Sequence, residues 1–126
     1  MPLLETAVVA SDWLKHEADN YRSRSTGTLA SGQGKLKSGA VLAQLSASSK
    51  WVVAAASGSD GSQTAKAILL FAADATDADV PIVFIDDDAI VSHNGLTWGS
   101  TINDATKRAA AIAQLRAQSI KVREGA

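Results

Sequence analysis

The longest apolar run in the chain, "AKAILLFAADA" over residues 65–75, is the feature that most restricts its fold. Its β-branched and aromatic content is moderate, and "GSDGSQ" and "DATDAD" close it at either end with turn-forming Gly, Ser and Asp. Such a run reads as a buried strand rather than as a helix. A strand of that kind cannot stand alone, so the rest of the chain has to supply neighbours for it. "GAVLAQL" (39–45) and "KWVVAAA" (50–56) read as two of them, joined by the turn "SASS". "VPIVFID" (80–86) and "AIVSH" (89–93) read as two more, with Asp86–Asp88 as the hairpin turn between them. Pro81 has no N–H for a ladder, which places it at a strand start or a sheet edge.

One helix is predicted, in "TINDATKRAAAIAQLRAQ" (101–118). Thr101 and Asp104 stand at a capping-box-like spacing, and the alanines that follow have the highest helix propensity available. Ala105, Ala109, Ile112 and Leu115 or Arg116 trace one face, while Lys107, Arg108 and Arg116 lie on the other side or near the end, where the helix dipole favours cations. Ile120 and Val122 alternate in a short final strand. The fold class is therefore mainly β with one short C-terminal helix (α+β), in one β-rich domain over residues 24–126.

Residues 1–23 read as an N-terminal arm, with Leu3, Leu4, Val8, Val9, Trp13 and Tyr21 scattered among charges. "RSRSTGTLASGQGK" (22–35) reads as a Ser/Gly-rich connection from the arm to the first strand. Such an arm is expected to order only when something binds it. Trp13 has two readings. It is an anchor for a partner's pocket, or the arm folds back and buries it in its own domain.

The chain's 126 residues suit a single domain whose stability gains from oligomerisation. There is no cysteine, so disulfides and thiolate metal sites are excluded. Residues 1–37 carry a net charge of about +1, residues 38–98 carry −5 and residues 99–126 carry +3. A weakly acidic chain without a basic block is a poor nucleic-acid binder. The start has no basic segment, and Glu5 and Asp12 interrupt its apolar residues, unlike a signal peptide. No stretch is long and apolar enough to span a bilayer.

No catalytic constellation is legible. The Gly/Lys-rich "GTLASGQGKLKSG" (27–39) fails the phosphate-loop pattern, since Gly34 and Lys35 are followed by Leu36 and then a short strand. Calcium-loop registers starting at Asp74 or Asp77 place Ala78 or Pro81 where an oxygen ligand belongs. Asp86–Asp88 read as solvated turn residues, and His16 and His93 as surface residues without a metal partner set. No serine sits in a nucleophile elbow. Asp60, Asp74 and Asp88 could meet only if the fold brought them together. The expectation is no enzyme, no cofactor and no metal.

In order and spacing, "GAVLAQL", "KWVVAAASGSDGSQTAKAILLFAADAT" and "GLTWGSTINDATKRAAAIAQLRAQSIKV" resemble the head decoration proteins of tailed bacteriophages, the family of the phage lambda capsid-stabilising protein. The likeness covers roughly residues 24–123, with "TLASGQGKLKSG" as a similar Gly-rich lead-in. The resemblance implies a small β-tulip-like domain that forms homotrimers. It implies trimers on the outer surface of the mature head, at local three-fold positions, bracing it against packaged DNA. The implied partner is the major capsid protein, met by the arm through Leu3, Leu4, Val8, Val9 and Trp13. Neither nucleic acid nor membrane is implied as a partner. Two other readings stand beside it. One is a small β-barrel adaptor of another complex. The other is a carrier module, for which Lys66 in "TAKAI" is a poor modification site.

Overall fold

A computed structural model describes residues 13–17 and 23–123. They form ten strands: β1 (Leu14–Glu17), β2 (Arg24–Leu29), β3 (Gly34–Leu36), β4 (Val41–Gln44), β5 (Trp51–Val53), β6 (Ala67–Leu69), β7 (Ala73–Ala75), β8 (Val80–Ile85), β9 (Ala89–Ser92) and β10 (Ile120–Arg123). One α-helix, α1 (Ala105–Ala117), precedes the last strand. The mainly β, single-helix fold class is the one read from the sequence.

Five strands close a barrel in the order β2-β5-β4-β6-β8, with β8 returning to β2. The β2–β8 ladder is antiparallel and runs from Arg24↔Ile85 to Leu29↔Val80. β2 meets β5 at a single parallel position, Leu29↔Trp51, reinforced by the Ala30 N–H donating to the Trp51 carbonyl at 2.9 Å. Closure reduces the open strand edges that would otherwise pair with other chains. A three-stranded sheet, β1-β9-β10, and a two-stranded ribbon, β3-β7, flank the barrel.

Alternate residues of β4, β6 and β8 serve two cores, which is why these strands read as apolar runs. Leu29, Leu42, Trp51, Ala67, Leu69 and Phe84 pack together inside the barrel. Val41, Ala43, Ile68 and Ile85 point the other way, into a second core with Val91, Leu115 and Ile120. The β-side-chain period of two sends neighbours to opposite faces, and here both faces are covered.

Four expectations need correction. The run 65–75 is two strands. β6 ends at Leu69 and β7 begins at Ala73, and between them Leu70 turns into the second core while Phe71 faces out. The apolar character continues through the break because burial does, so composition hides the bend. Asp86–Asp88 is not a hairpin turn. β8 stays in the barrel, whereas β9 pairs antiparallel with β1 and parallel with β10. The aspartates form the corner between two sheets, where Asp88 has φ 41° and its carbonyl accepts from Ser23 Oγ at 2.7 Å. The Ser/Gly-rich connection contains β2 and β3, whose threonines and glycines hide them. Finally, residues 13–17, assigned to the arm, belong to the fold as Trp13 and β1.

The helix begins at Ala105, with Asp104 as its cap accepting from the Lys107 N–H at 2.8 Å. Thr101 Oγ1 instead accepts from the Ala56 N–H at 3.1 Å. Its buried residues are Ala111 and Leu115, so the inward face is rotated from the one predicted, and Ala105 and Ala109 are exposed. With alanine at most positions, periodicity cannot choose a face, and packing does. Pro81 is where its missing N–H requires. It pairs with Thr28, and β6 reaches only Phe84 and Ile85, which leaves its other edge open.

Candidate interaction surfaces

Of the five residues expected to touch a partner, Leu3, Leu4, Val8 and Val9 lie outside the described residues. Trp13 is fully buried among the side chains of its own domain, the second of its two sequence readings. Its indole Nε1 donates to Ser38 Oγ at 2.9 Å, and its carbonyl accepts from the Ser92 N–H at 2.7 Å. Gly39 makes room for it. A Cβ there would lie 2.5 Å from the Gly95 carbonyl oxygen and 3.2 Å from Trp13 Cδ1, on a backbone with φ +97°. The adjoining β1 is an edge strand paired to β9 from Leu14↔Val91 to Glu17↔Ala89. Glu17 accepts two hydrogen bonds from Arg24, 2.9 and 2.7 Å long, which tie β1 to the start of β2. The structure thus fixes the point at which residues 1–12 join the domain.

A second surface was not legible in the sequence. Phe71 is 55% exposed, and among the described residues no other large hydrophobic side chain is exposed. With Thr26, Ala73, Pro81, Ile82 and Val83 it lines an open groove of about 310 Å³ on the outside of the barrel. Sequence reasoning placed Phe71 inside a continuous buried strand. The only available signal was the position of the break, and no turn residue marks it.

The aspartates of the loops serve local structure. Asp60 accepts from the hydroxyl and then the N–H of Ser62, and Asp74 accepts likewise from Thr76. Both carboxyls are held below their ordinary value of 3.8, chiefly by the hydroxyl donors. Asp79 is lowered first by its bond to Lys50, 2.6 Å away, and then by the Ser31 N–H. Among the described residues no three His, Cys, Asp or Glu side chains gather to hold a metal ion. His16 is exposed, while His93 is half-buried with its ring 5.9 Å from that of Trp98. A shallow cleft of about 140 Å³ beside α1 is spanned by Gln114, which accepts from the Ala65 N–H and donates to the Gln63 carbonyl. Gln114 fastens the "GSDGSQT" loop to the helix. No described helix is long and apolar enough to cross a membrane.

The two surfaces differ in kind: one is the edge strand β1 beside the buried Trp13, the other an apolar, open groove. The family model for the bacteriophage lambda head decoration protein D matches residues 3–120, nearly the whole chain. A search of curated proteins returned no match. The chain belongs to the phage head decoration protein family.

Proposed function

We propose, with membership of the head decoration family as the premise, that this chain binds as a homotrimer to the outer surface of a mature phage head, at local three-fold positions. There it reinforces the shell against the pressure of packaged DNA. The decoration role itself follows from the family match over residues 3–120, the observation that carries the reading. The family is structural, and the chain acts by occupancy rather than by turnover.

The proposed contact to the major capsid protein is made by residues 1–12, with Leu3, Leu4, Val8 and Val9 as its apolar groups. By adding as a strand, a peptide segment gains main-chain hydrogen bonds to a sheet edge of its partner, and alternate apolar side chains supply specificity. Three such segments on one trimer bind with avidity, so each can be weak alone. Trp13 has a different part. Locked in its own core, it holds the root of the segment and carries the load from capsid to domain. Synthesis in the host cytoplasm precedes assembly on the virion.

The experiment is decoration of expanded heads by the full chain and by a chain lacking residues 1–12. The shortened chain is expected to stay folded and to lose head binding. Full-affinity binding by the shortened chain would assign the contact elsewhere. Failure of the full chain to bind any expanded head would remove the decoration reading and favour an adaptor of another complex.

A further inference from the structure

We propose that the Phe71 groove contacts a second copy of this chain, and that the surface it meets there is the alanine-rich outer face of α1. The inference rests on the self-association included in the proposed function and names the two faces involved. One half is the groove. It is open and contains no titratable side chain, and its only side-chain polar group is the Thr26 hydroxyl. Such a surface suits a flat apolar partner better than a polar small molecule.

The other half is on α1. Ala109, Ala113 and Ala117, spaced one turn apart, are exposed and point away from the buried Ala111 and Leu115. Small side chains there let an aromatic ring approach the helix closely.

Charge selects this pairing. The groove lies among acidic groups. Asp74 follows Ala73, Asp77 and Asp79 lie on the loop into β8, and Asp86 accepts from Ser25, next to Thr26. Lys35 and Lys50 offset Asp74 and Asp79 in part, whereas Asp77 forms no ion pair with another described residue; Asp87 and Asp88 lie away from the groove, at the corner into β9, where Ala89 pairs with Ile120. The helix end of the molecule is basic. Arg116, Lys121 and Arg123 are exposed and form no ion pair with another described residue. Groove against groove, or helix against helix, would set like charges together, while groove against helix brings opposite charges into register. The contact is therefore heterologous, and repeated by rotation it closes into a ring.

The chain has no cysteine, so introduced thiols report without background. Phe71→Cys and Ala113→Cys variants, each checked for native circular dichroism, are mixed in equal amounts and oxidised, free in solution and on expanded heads. A disulfide-linked dimer in the mixture at several times the yield of either variant alone, in either setting, is the expected result. In solution the yield should fall in about 1 M salt, where charges more than about 3 Å apart are screened. Equal yields in mixture and single variants, no cross-link in either setting, or a dimer formed mainly by Phe71→Cys alone would each overturn the proposal. Wild-type head binding, measured in parallel, reads the decoration function separately. A chain that cross-links selectively but binds no heads keeps this contact and loses that function.

Discussion

Trp13 and Ser38 are joined by a hydrogen bond of 2.9 Å across 25 residues of sequence, and Ser38 Oγ in turn donates to the Leu70 carbonyl at 2.7 Å. This chain of two bonds ties the entry of β1 to the end of β6, where the strand leaves the barrel. All three residues are buried, so the indole N–H is satisfied inside the core as burial demands.

Trp13→Ala is accordingly expected to lower the stability of the free domain by about 3–5 kcal/mol, the usual cost of truncating a buried tryptophan. Trp13→Phe keeps most of the apolar volume and loses the hydrogen bond, so its own loss is smaller, led by about 1 kcal/mol for that bond. Urea unfolding of the free protein measures both. Unchanged midpoints would mean that Trp13 is not part of the core.

The same geometry separates two truncations. Removing residues 1–12 leaves Trp13, β1 and the Glu17–Arg24 pair in place, and the domain should unfold at nearly the full-length midpoint. Removing residues 1–17 deletes the edge strand beside β9 and opens the space that Trp13 fills, so the midpoint should fall sharply. Thermal melts of the two shortened chains decide it. Coincident melts would return residues 13–17 to the arm.

Why the sequence shows the barrel strands and hides the boundary follows from what each position buries. β4, β5 and β8 were legible because apolar side chains occupy both of their faces and most are buried or half-buried. β2 was hidden because its outward positions are Thr26 and Thr28 and its inward side includes Gly27, a pattern shared with loops. The split of β6 from β7 was hidden because Leu70 stays buried through the bend. The parallel pairing of β9 with β10 is a long-range choice made by packing, and the short spacing of β8 and β9 pointed instead to a hairpin. On the interaction surfaces, residues 1–12 of the expected arm lie outside the described residues. The place of Trp13 in the core was not legible, because a hydrogen bond between Trp13 and Ser38 leaves no local trace.

Stability should fall in acid through a small set of carboxylates. Asp60, Asp74 and Asp79 have folded values below the ordinary 3.8, so the folded state binds their protons less readily than the unfolded chain. Their stabilisation is fully present above about pH 4 and is lost as pH falls through the lowered folded values. Urea midpoints should therefore hold steady from pH 7 to about pH 5 as far as these groups are concerned, and decline below pH 4. A Ser62→Ala, Thr76→Ala double variant removes the leading cause at Asp60 and Asp74, and its decline should be shallower. A variant with the same acid slope as the wild type would exclude these two turns as its source.

Gly27 tests the closure of the barrel. It lies on β2 against the Trp51 and Phe84 rings, whose centroids are 4.3 Å apart. A Cβ there would sit 2.7 Å from Trp51 Nε1 and 2.8 Å from Trp51 Cδ1, closer than Cβ atoms come, and a tight 3.0 Å from Phe84 Cε2. Trp51 cannot yield freely, because it also makes the single Leu29↔Trp51 register contact that joins β5 to β2. Gly27→Ala should therefore cost about 1–3 kcal/mol by overpacking, against the usual gain expected when a strand glycine becomes alanine. The strain should also appear as a change in near-ultraviolet circular dichroism from Trp51, with far-ultraviolet signal retained. A Gly27→Ala chain as stable as the wild type, with an unchanged aromatic spectrum, would show that β2 and β5 can part at this seam without loss, and that the barrel is held shut by the β2–β8 ladder alone.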